Sequence, residues 1–135
     1  MNKQKSKEKS LKTKISDTEV TDTVRAVAKY VKISAFKLRK TAKLIDRIHL
    51  DSALIKLKLT SNKSSKYLYS VIQSAASNAT NNHNLDRSRL YISNIQINEG
   101  PKTKRFQARA RGRLFGIIKP SSHIVVEVSE YKGDK

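Results

Sequence analysis

A basic segment toward the C-terminal end most constrains how this chain can fold. From Gly100 to Val126 the sequence contains no acidic residue. The segment carries seven cations: Lys102, Lys104, Arg105, Arg109, Arg111, Arg113 and Lys119. It has too few large apolar residues to form a core, and its like charges repel one another in water. We therefore expect it to become ordered against a polyanion, because counterion release and phosphate pairing offset the repulsion and the lost chain entropy.

The segments on either side of this basic run are rich in β-forming residues. Leu90 to Ile97 predicts a strand with a bulge or strong twist between Ile92 and Ile95, and Ile124 to Val128 predicts a final half-buried strand. Flanking strands favour a long hairpin arm over about 98–123, rather than a solvated charge run or a disordered tail. Arg dominates the centre of the arm, and its planar guanidinium suits phosphate oxygens, base edges and stacking on exposed bases.

Composition narrows the class of partner and excludes several kinds of site. The net charge of +18 over 135 residues indicates a nucleic acid or an anionic membrane surface as the partner. There is no Cys, and His49, His83 and His123 lack ligand spacing, so we expect no metal site and no cofactor. No apolar run approaches the roughly 20 residues of a membrane span, and no signal peptide is evident, so we expect a soluble protein.

The periodicity of apolar residues predicts a two-layer α+β domain of β-α-α-α-β-β order, with a small antiparallel sheet and a very long basic hairpin. Val24 to Ile33 is the first predicted strand, followed by a helix from Ala35 to about Ile48 with Ser34 as its N-cap. Asp51 is expected to cap a short second helix. A third helix from Lys63 to about Asn81 carries a wide apolar stripe: Tyr67, Leu68, Val71, Ile72, Ala75, Ala76 and Ala79.

Three parts of the chain are expected. Residues 1–23 form a Lys-rich extension predicted to be disordered without a partner, and its role is open. Residues 24–130 form a single RNA-binding domain that includes the arm, and residues 131–135 form a tail.

The first predicted helix carries a second group of cations. Its apolar residues fall on one face, and a basic stripe is predicted on the opposite face, consisting of Arg39, Lys40, Lys43 and Arg47. An ordinary solvated face is the alternative, but four cations with only Asp46 nearby favour phosphate contact.

The sequence offers no convincing catalytic site, so we predict that the chain is not an enzyme. There is no Gly-rich phosphate loop and no arrangement of residues for nucleophilic catalysis. Ser34 and Lys37 match a Ser-x-x-Lys motif, but its companion motifs are absent.

The stretches from Asn94 to Arg113 and from Ser122 to Val128 resemble the bacterial-type family of large ribosomal subunit protein twenty-two. Tyr30 to Ser34 with Lys37 and Arg39, and Ser77 to Ala79 with Asn82 to Asn84, are similar to the other signatures of that family in the same order. The resemblance covers roughly residues 24–130.

This resemblance implies a structural, non-enzymatic protein that binds large-subunit (23S-type) ribosomal RNA and aids assembly. The family's hairpin tip lines the peptide exit tunnel beside large-subunit protein four, in contact with the nascent peptide. By resemblance, the tunnel-lining tip is Arg109, Ala110, Arg111, Gly112 and Arg113. The expected rRNA-binding residues are the basic stripe, the seven arm cations and Lys37.

Two features differ from the usual family pattern. Ala35 stands where the family has Pro, and Leu114 to Ile118 replaces a more basic return strand. Ile118-Lys119-Pro120 is similar to plastid members, and the excess of Lys over Arg favours an A+T-rich coding genome. We therefore favour the plastid stroma over the bacterial cytoplasm.

Two alternative functions are considered. One is a sequence-specific DNA-binding regulator that uses a basic helix. The other is a membrane-surface protein, which is disfavoured because the basic helix lacks a bulky aromatic face.

Overall fold

The computed structural model describes residues 23–131, so the predicted N-terminal extension up to residue 22 and the tail beyond Tyr131 lie outside the described residues. The described elements are β1 (Val24–Val31), α1 (Ala35–Ala42), α2 (Leu50–Leu59), α3 (Lys63–His83), β2 (Leu90–Glu99), β3 (Thr103–Ala108), β4 (Leu114–Lys119) and β5 (Ser122–Glu130). A short 3₁₀ turn covers Arg87–Arg89, and a tight turn at Ala110–Gly112 with left-handed residues connects β3 to β4. This order confirms the predicted α+β fold.

The main sheet is antiparallel, with β5 in the centre and β1 and β2 at its edges. Val24 and Ala26 on β1 are buried, whereas the alternating Arg25 and Val27 are exposed, so this edge strand buries one face and exposes the other. The register of β2 against β5 shifts between Ile92 and Asn94, which confirms the predicted irregularity.

Helix α3 covers the sheet through the predicted apolar stripe. Leu68, Ile72, Ala75 and Ala79 have no exposed surface, and only Tyr67 of the stripe is half-buried. The alanines let the helix backbone approach β1 and β5 closely. The helix continues to His83, two residues beyond its predicted end, and Asn84 closes it in the left-handed conformation at φ 53°.

The prediction that α1 extends to about Ile48 is wrong, because the helix ends at Ala42. Leu44 and Ile45 donate backbone hydrogen bonds to the carbonyls three residues earlier, at 3.1 and 3.0 Å, so the chain continues as tight turns. Beyond these turns, the Ile92 N–H donates to the Ile48 carbonyl at 3.0 Å, and His49 bridges to Tyr91. This pairing with β2 requires extended backbone and therefore prevents a longer helix.

Two predicted caps also differ from the structure. Ser34 occupies the N-cap position of α1, but its side chain makes no capping hydrogen bond. The N-cap of α2 is His49, which leaves Asp51 in the first helical turn, where its charge still complements the helix dipole.

The first strand ends at Val31 and not at Ile33 as predicted. The carbonyl of Ile33 instead accepts a hydrogen bond from the buried Ser122 hydroxyl at 2.6 Å.

The β2–β5 pairing leads directly into the arm. Glu99 pairs with Ser122, and the Gly100 N–H donates to the Ser121 carbonyl at 2.9 Å. A Cβ at Gly100 would lie 2.6 Å from the Ser121 hydroxyl, which itself donates to the Pro101 carbonyl. A side chain at Gly100 would therefore displace the Ser121 hydroxyl from this hydrogen bond, which favours glycine where the sheet passes into the arm.

Candidate nucleic-acid interface

The arm consists of β3 and β4 and the turn between them. Thr103 pairs with Lys119 and Ala108 pairs with Leu114 in an uninterrupted antiparallel register. Every residue from 101 to 119 is exposed. The arm is thus held by its backbone ladder, without a core beneath it, and at about 3.4 Å per residue each of its strands spans roughly 20 Å.

The tip is a tight turn closed by a hydrogen bond of 2.8 Å from the Arg109 N–H to the Arg113 carbonyl. Arg111 and Gly112 both have positive φ, at 59° and 70°. The guanidinium of Arg109 lies over the Phe115 ring, with its central carbon 5.6 Å from the ring centroid, which is a cation–π contact. The turn therefore holds the backbones of Arg109 and Arg113 together at the tip, and the side chain of Arg109 is oriented by a neighbouring aromatic ring.

The register distributes the arm cations over both of its faces, since directly paired residues share a face. Arg105 pairs with Ile117 on one face, and Lys104 pairs with Ile118 on the other. Of the ion pairs between described residues, one involves an arm cation: the Lys102 Nζ lies 3.4 Å from the Glu99 Oε2. Both faces therefore present positive charge beside apolar side chains.

The four cations predicted as one stripe do not form one. Lys43 and Arg47 lie beyond the end of α1, with Arg47 at φ 56°. Arg39 donates two hydrogen bonds to the Ile97 carbonyl and lines a small cleft against β2 together with Lys43. Lys40 lies on another side of the helix, with Lys37. The early helix end separates these residues, and their contact with RNA remains a prediction.

A larger concave surface lies between α1, the start of α3 and the base of the arm. We call it the basic groove; its volume is about 1120 Å³. Six cations line it: Lys32, Lys37, Lys40, Lys63, Arg105 and Lys119. Its apolar lining consists of Ile33, Phe36, Leu44, Ile118 and Pro120. None of the described residues that line it is acidic.

Sequence reasoning missed Lys32 and Lys63 as site residues. Lys32 follows β1 and Lys63 begins α3, and no local pattern connects them. Only the packing of these elements against the arm base brings the two residues to one surface. The exposed Phe36 was also missed, although a bulky aromatic on the polar side of a short helix is a usable signal.

Other possible sites give negative results within residues 23–131. No group of three or more His, Cys, Asp or Glu residues could hold a metal ion there. In the same range, the helices are too short or too polar to cross a membrane. His123 accepts a hydrogen bond at Nδ1 from the Tyr30 N–H, and His49 Nε2 lies 2.6 Å from the Ser88 carbonyl, so both rings have structural partners.

Comparison with known proteins identifies the family. The family model described as "Ribosomal protein L22p/L17e" matches residues 26–129. The chain belongs to this family. Large ribosomal subunit protein uL22 of Mycoplasmopsis pulmonis is 45% identical over 107 residues, covering 79% of this chain and 97% of that protein. Protein uL22c of the diatom Thalassiosira pseudonana is 44% identical over 105 residues, covering 78% and 91%. Protein uL22 of Clostridium novyi is 41% identical over 106 residues, covering 78% and 96%.

Membership of the L22p/L17e family confirms the main functional prediction. The chain is a structural constituent of the large ribosomal subunit and not an enzyme. Binding to large-subunit rRNA and to ribosomal proteins follows from the family. The alternative of a sequence-specific DNA-binding regulator finds no support among these relatives.

Proposed function

We propose that the globular domain anchors this L22p/L17e protein on large-subunit rRNA, while the arm passes through the RNA and its tip lines the peptide exit tunnel. One observation above all supports the placement of the arm within RNA: the arm carries seven cations, and every residue from 101 to 119 is exposed. A segment with this charge and no buried side chain gains its order from phosphates around it.

The resemblance supports the role of the tip. Arg109, Ala110, Arg111, Gly112 and Arg113 match the family element whose members line the tunnel beside large-subunit protein four and contact the nascent peptide. A turn closed between Arg109 and Arg113 holds these side chains at the far end of the arm. Guanidinium groups at such a tip can face water and a passing peptide instead of phosphate.

The anchoring role is assigned to the cations near α1 and along the arm. Lys37, Lys40, Lys43 and Arg47 are exposed on the globular domain. Along the arm, the anchoring cations are Lys102, Lys104, Arg105 and Lys119. Arg39 is part of the proposed contact surface, although its guanidinium is also bonded to the protein's own backbone.

Two triple variants test this division of roles. Arg109, Arg111 and Arg113 are changed to Ser, which keeps the Gly112 turn. In the second variant Lys40, Lys43 and Arg47 are changed to Gln, which leaves the Arg39 contact intact. We expect the tip variant to enter large subunits normally and to alter nascent-chain stalling. The second variant should enter fewer subunits, as measured by sedimentation, with normal stalling in those that assemble. The opposite pattern would overturn the assignment.

We also propose the plastid stroma as the compartment, because the Ile118-Lys119-Pro120 sequence is similar to plastid members. Bacterial and diatom relatives match with nearly equal identity, 45% and 44%, so the proposal depends on this sequence argument. Mass spectrometry of ribosomes from isolated plastids would test it, and recovery of the chain only from bacterial ribosomes would refute it.

A further inference from the structure

The basic groove has the features of a site for unpaired nucleotides. We propose that it holds a short single-stranded stretch of RNA, with its phosphates among the six cations and one base stacked on Phe36. This inference rests on the proposed rRNA-binding function and adds to it a defined site and a preference for single-stranded over duplex RNA.

The charge of the groove favours a polyanion as its ligand. Its cations come from the end of β1, from α1, from the start of α3 and from both strands of the arm, so several segments converge on one concave surface. None of the six forms an ion pair with another described residue. Concave walls of one sign focus the electrostatic potential and raise the local concentration of the opposite charge. The volume of about 1120 Å³ lies above the range of roughly 300–1,000 Å³ typical of small-ligand pockets, so the groove has room for a chain of linked nucleotides.

The apolar part of the groove distinguishes single strands from duplexes. Phe36 lies in the first turn of α1 and is 79% exposed, although it is a large apolar residue. Leu44 is 55% exposed and lines the same groove. Duplex RNA presents phosphates and 2′-hydroxyls, which gain nothing from an aromatic ring, whereas unstacked bases stack on such rings. Cations beside an exposed aromatic therefore favour a single strand.

Two helix starts add donors to this surface. Ser34 and Phe36 at the start of α1 line the groove, and so do Asn62 and Ser64 at the start of α3. Neither N-cap residue makes a side-chain capping bond, and neither helix has an acid in its first turn. The first N–H groups of a helix have no partner within the helix and are suited to phosphate oxygens. They supplement the cations and do not define the site by themselves.

An RNA strand in the groove would connect the arm to the domain. Lys37 and Lys40 belong to the globular domain, whereas Arg105 and Lys119 belong to the arm. A strand that contacts both pairs holds the base of the arm against α1. The site would therefore also fix the direction in which the arm leaves the domain.

Binding of the full chain to a ten-nucleotide single strand and to a matched RNA duplex tests the proposal. Phe36→Ala should weaken binding to the single strand about 5- to 150-fold, the range for loss of one stacked base, without changing its salt dependence. Leu59→Ala, at another residue of high exposure (80%) outside the groove, is the matched control and should bind like the parent. Lys63→Gln should reduce the slope of log affinity against log salt by about 0.7, and Lys66→Gln, one turn along α3, should leave it unchanged.

The outcomes separate this proposal from the function on which it rests. If Phe36→Ala and Lys63→Gln bind like their controls while the parent binds RNA with a steep salt dependence, the groove proposal is overturned and rRNA binding stands. If the parent binds no RNA at low salt, the proposed function itself fails. If an acidic peptide occupies the groove and RNA does not compete with it, the site belongs to a protein partner and our proposal is wrong.

Discussion

The guanidinium of Arg39 donates two hydrogen bonds to the carbonyl oxygen of Ile97, from Nε at 3.2 Å and from Nη2 at 2.8 Å. Arg39 lies on α1 and Ile97 on β2, so the pair connects the first helix to an edge strand of the sheet. An arginine that the sequence assigns to RNA contact thus also stabilises the domain.

Replacing Arg39 with Lys should therefore destabilise the free protein. An ammonium group cannot reproduce the two-donor fork, and we expect the free energy of unfolding to fall by about 1 kcal/mol. Urea denaturation measures the change. Lys40→Gln, at the neighbouring residue in the chain, is the control and should unfold like the parent. Equal stability of Arg39→Lys and the parent would show that this contact contributes nothing.

Ile72 tests the assignment of the core. Its side chain is fully buried on α3, so Ile72→Asp places an unpaired charge in the core and should prevent folding, a loss of several kcal/mol. Ile72→Val should fold and lose about 0.5–1.5 kcal/mol. Gln73→Asp, at an exposed position, is the control. Thermal melting by circular dichroism measures all three, and a parent-like melt for Ile72→Asp would contradict the assignment.

Amide exchange tests the order of the arm. A two-stranded hairpin without a hydrophobic face packed on a core is marginally stable in water, and here like charges weaken it further. We expect fast exchange of amides from about Lys102 to Lys119 in the free protein and slow exchange in the assembled subunit. The Val126 amide in the central strand should be protected in both states. Strong protection of the arm in the free protein would refute the prediction.

Salt dependence of RNA binding measures how many arm cations meet phosphate. If all seven did so, the arm alone would give a slope of log affinity against log salt of roughly −5 to −6, at 0.7–0.9 per contact. Lys102 is already close to Glu99. Changing Arg109, Arg111 and Arg113 to Ser should reduce the slope by less than the roughly 2–3 expected for three phosphate contacts. A full reduction would place the tip on phosphate.

The turn before β2 gives a pH-dependent prediction. Hydrogen bonds from the Ser88 side chain and backbone N–H lower the pKa of Asp86, and Arg89 adds a smaller effect in the same direction. A lowered pKa in the folded state stabilises the fold above the ordinary carboxyl pKa, and this contribution is lost as the pH falls through the lowered value. Ser88→Ala should raise the pKa of Asp86, which a carboxyl titration by NMR measures, whereas Ser74→Ala on α3 should not. An unchanged value in Ser88→Ala would contradict the assigned cause.

Local patterns predicted the elements whose packing follows their own periodicity. The α3 stripe is an example, because its residues share one face of a regular helix and that face packs against the sheet. The end of α1 was not predictable in this way. Ile45 continues the helical spacing of Leu38 and Ala42 and is fully buried, yet it reaches the core from a tight turn. Periodicity records which residues are buried and not which backbone conformation buries them.

The same distinction applies to the functional surface, of which the arm was predictable from the sequence and the basic groove was not. The charge and length of the arm are encoded in one continuous segment, so the sequence alone indicates them. The basic groove depends on Lys32, Lys63 and Arg105, which are far apart in the chain and meet only after α1, α3 and the arm base pack. No spacing rule connects such residues.

Because every arm residue from 101 to 119 is exposed, selection acts differently on the arm and on the rest of the domain. A substitution on α3 or β5 is selected first for its effect on folding. A substitution between Thr103 and Lys119 leaves the core intact, so it is selected only for its effect on the contacts that the arm makes. The arm can therefore follow changes in its RNA and peptide environment without loss of the scaffold that presents it, and variants with altered translation but normal stability should concentrate there.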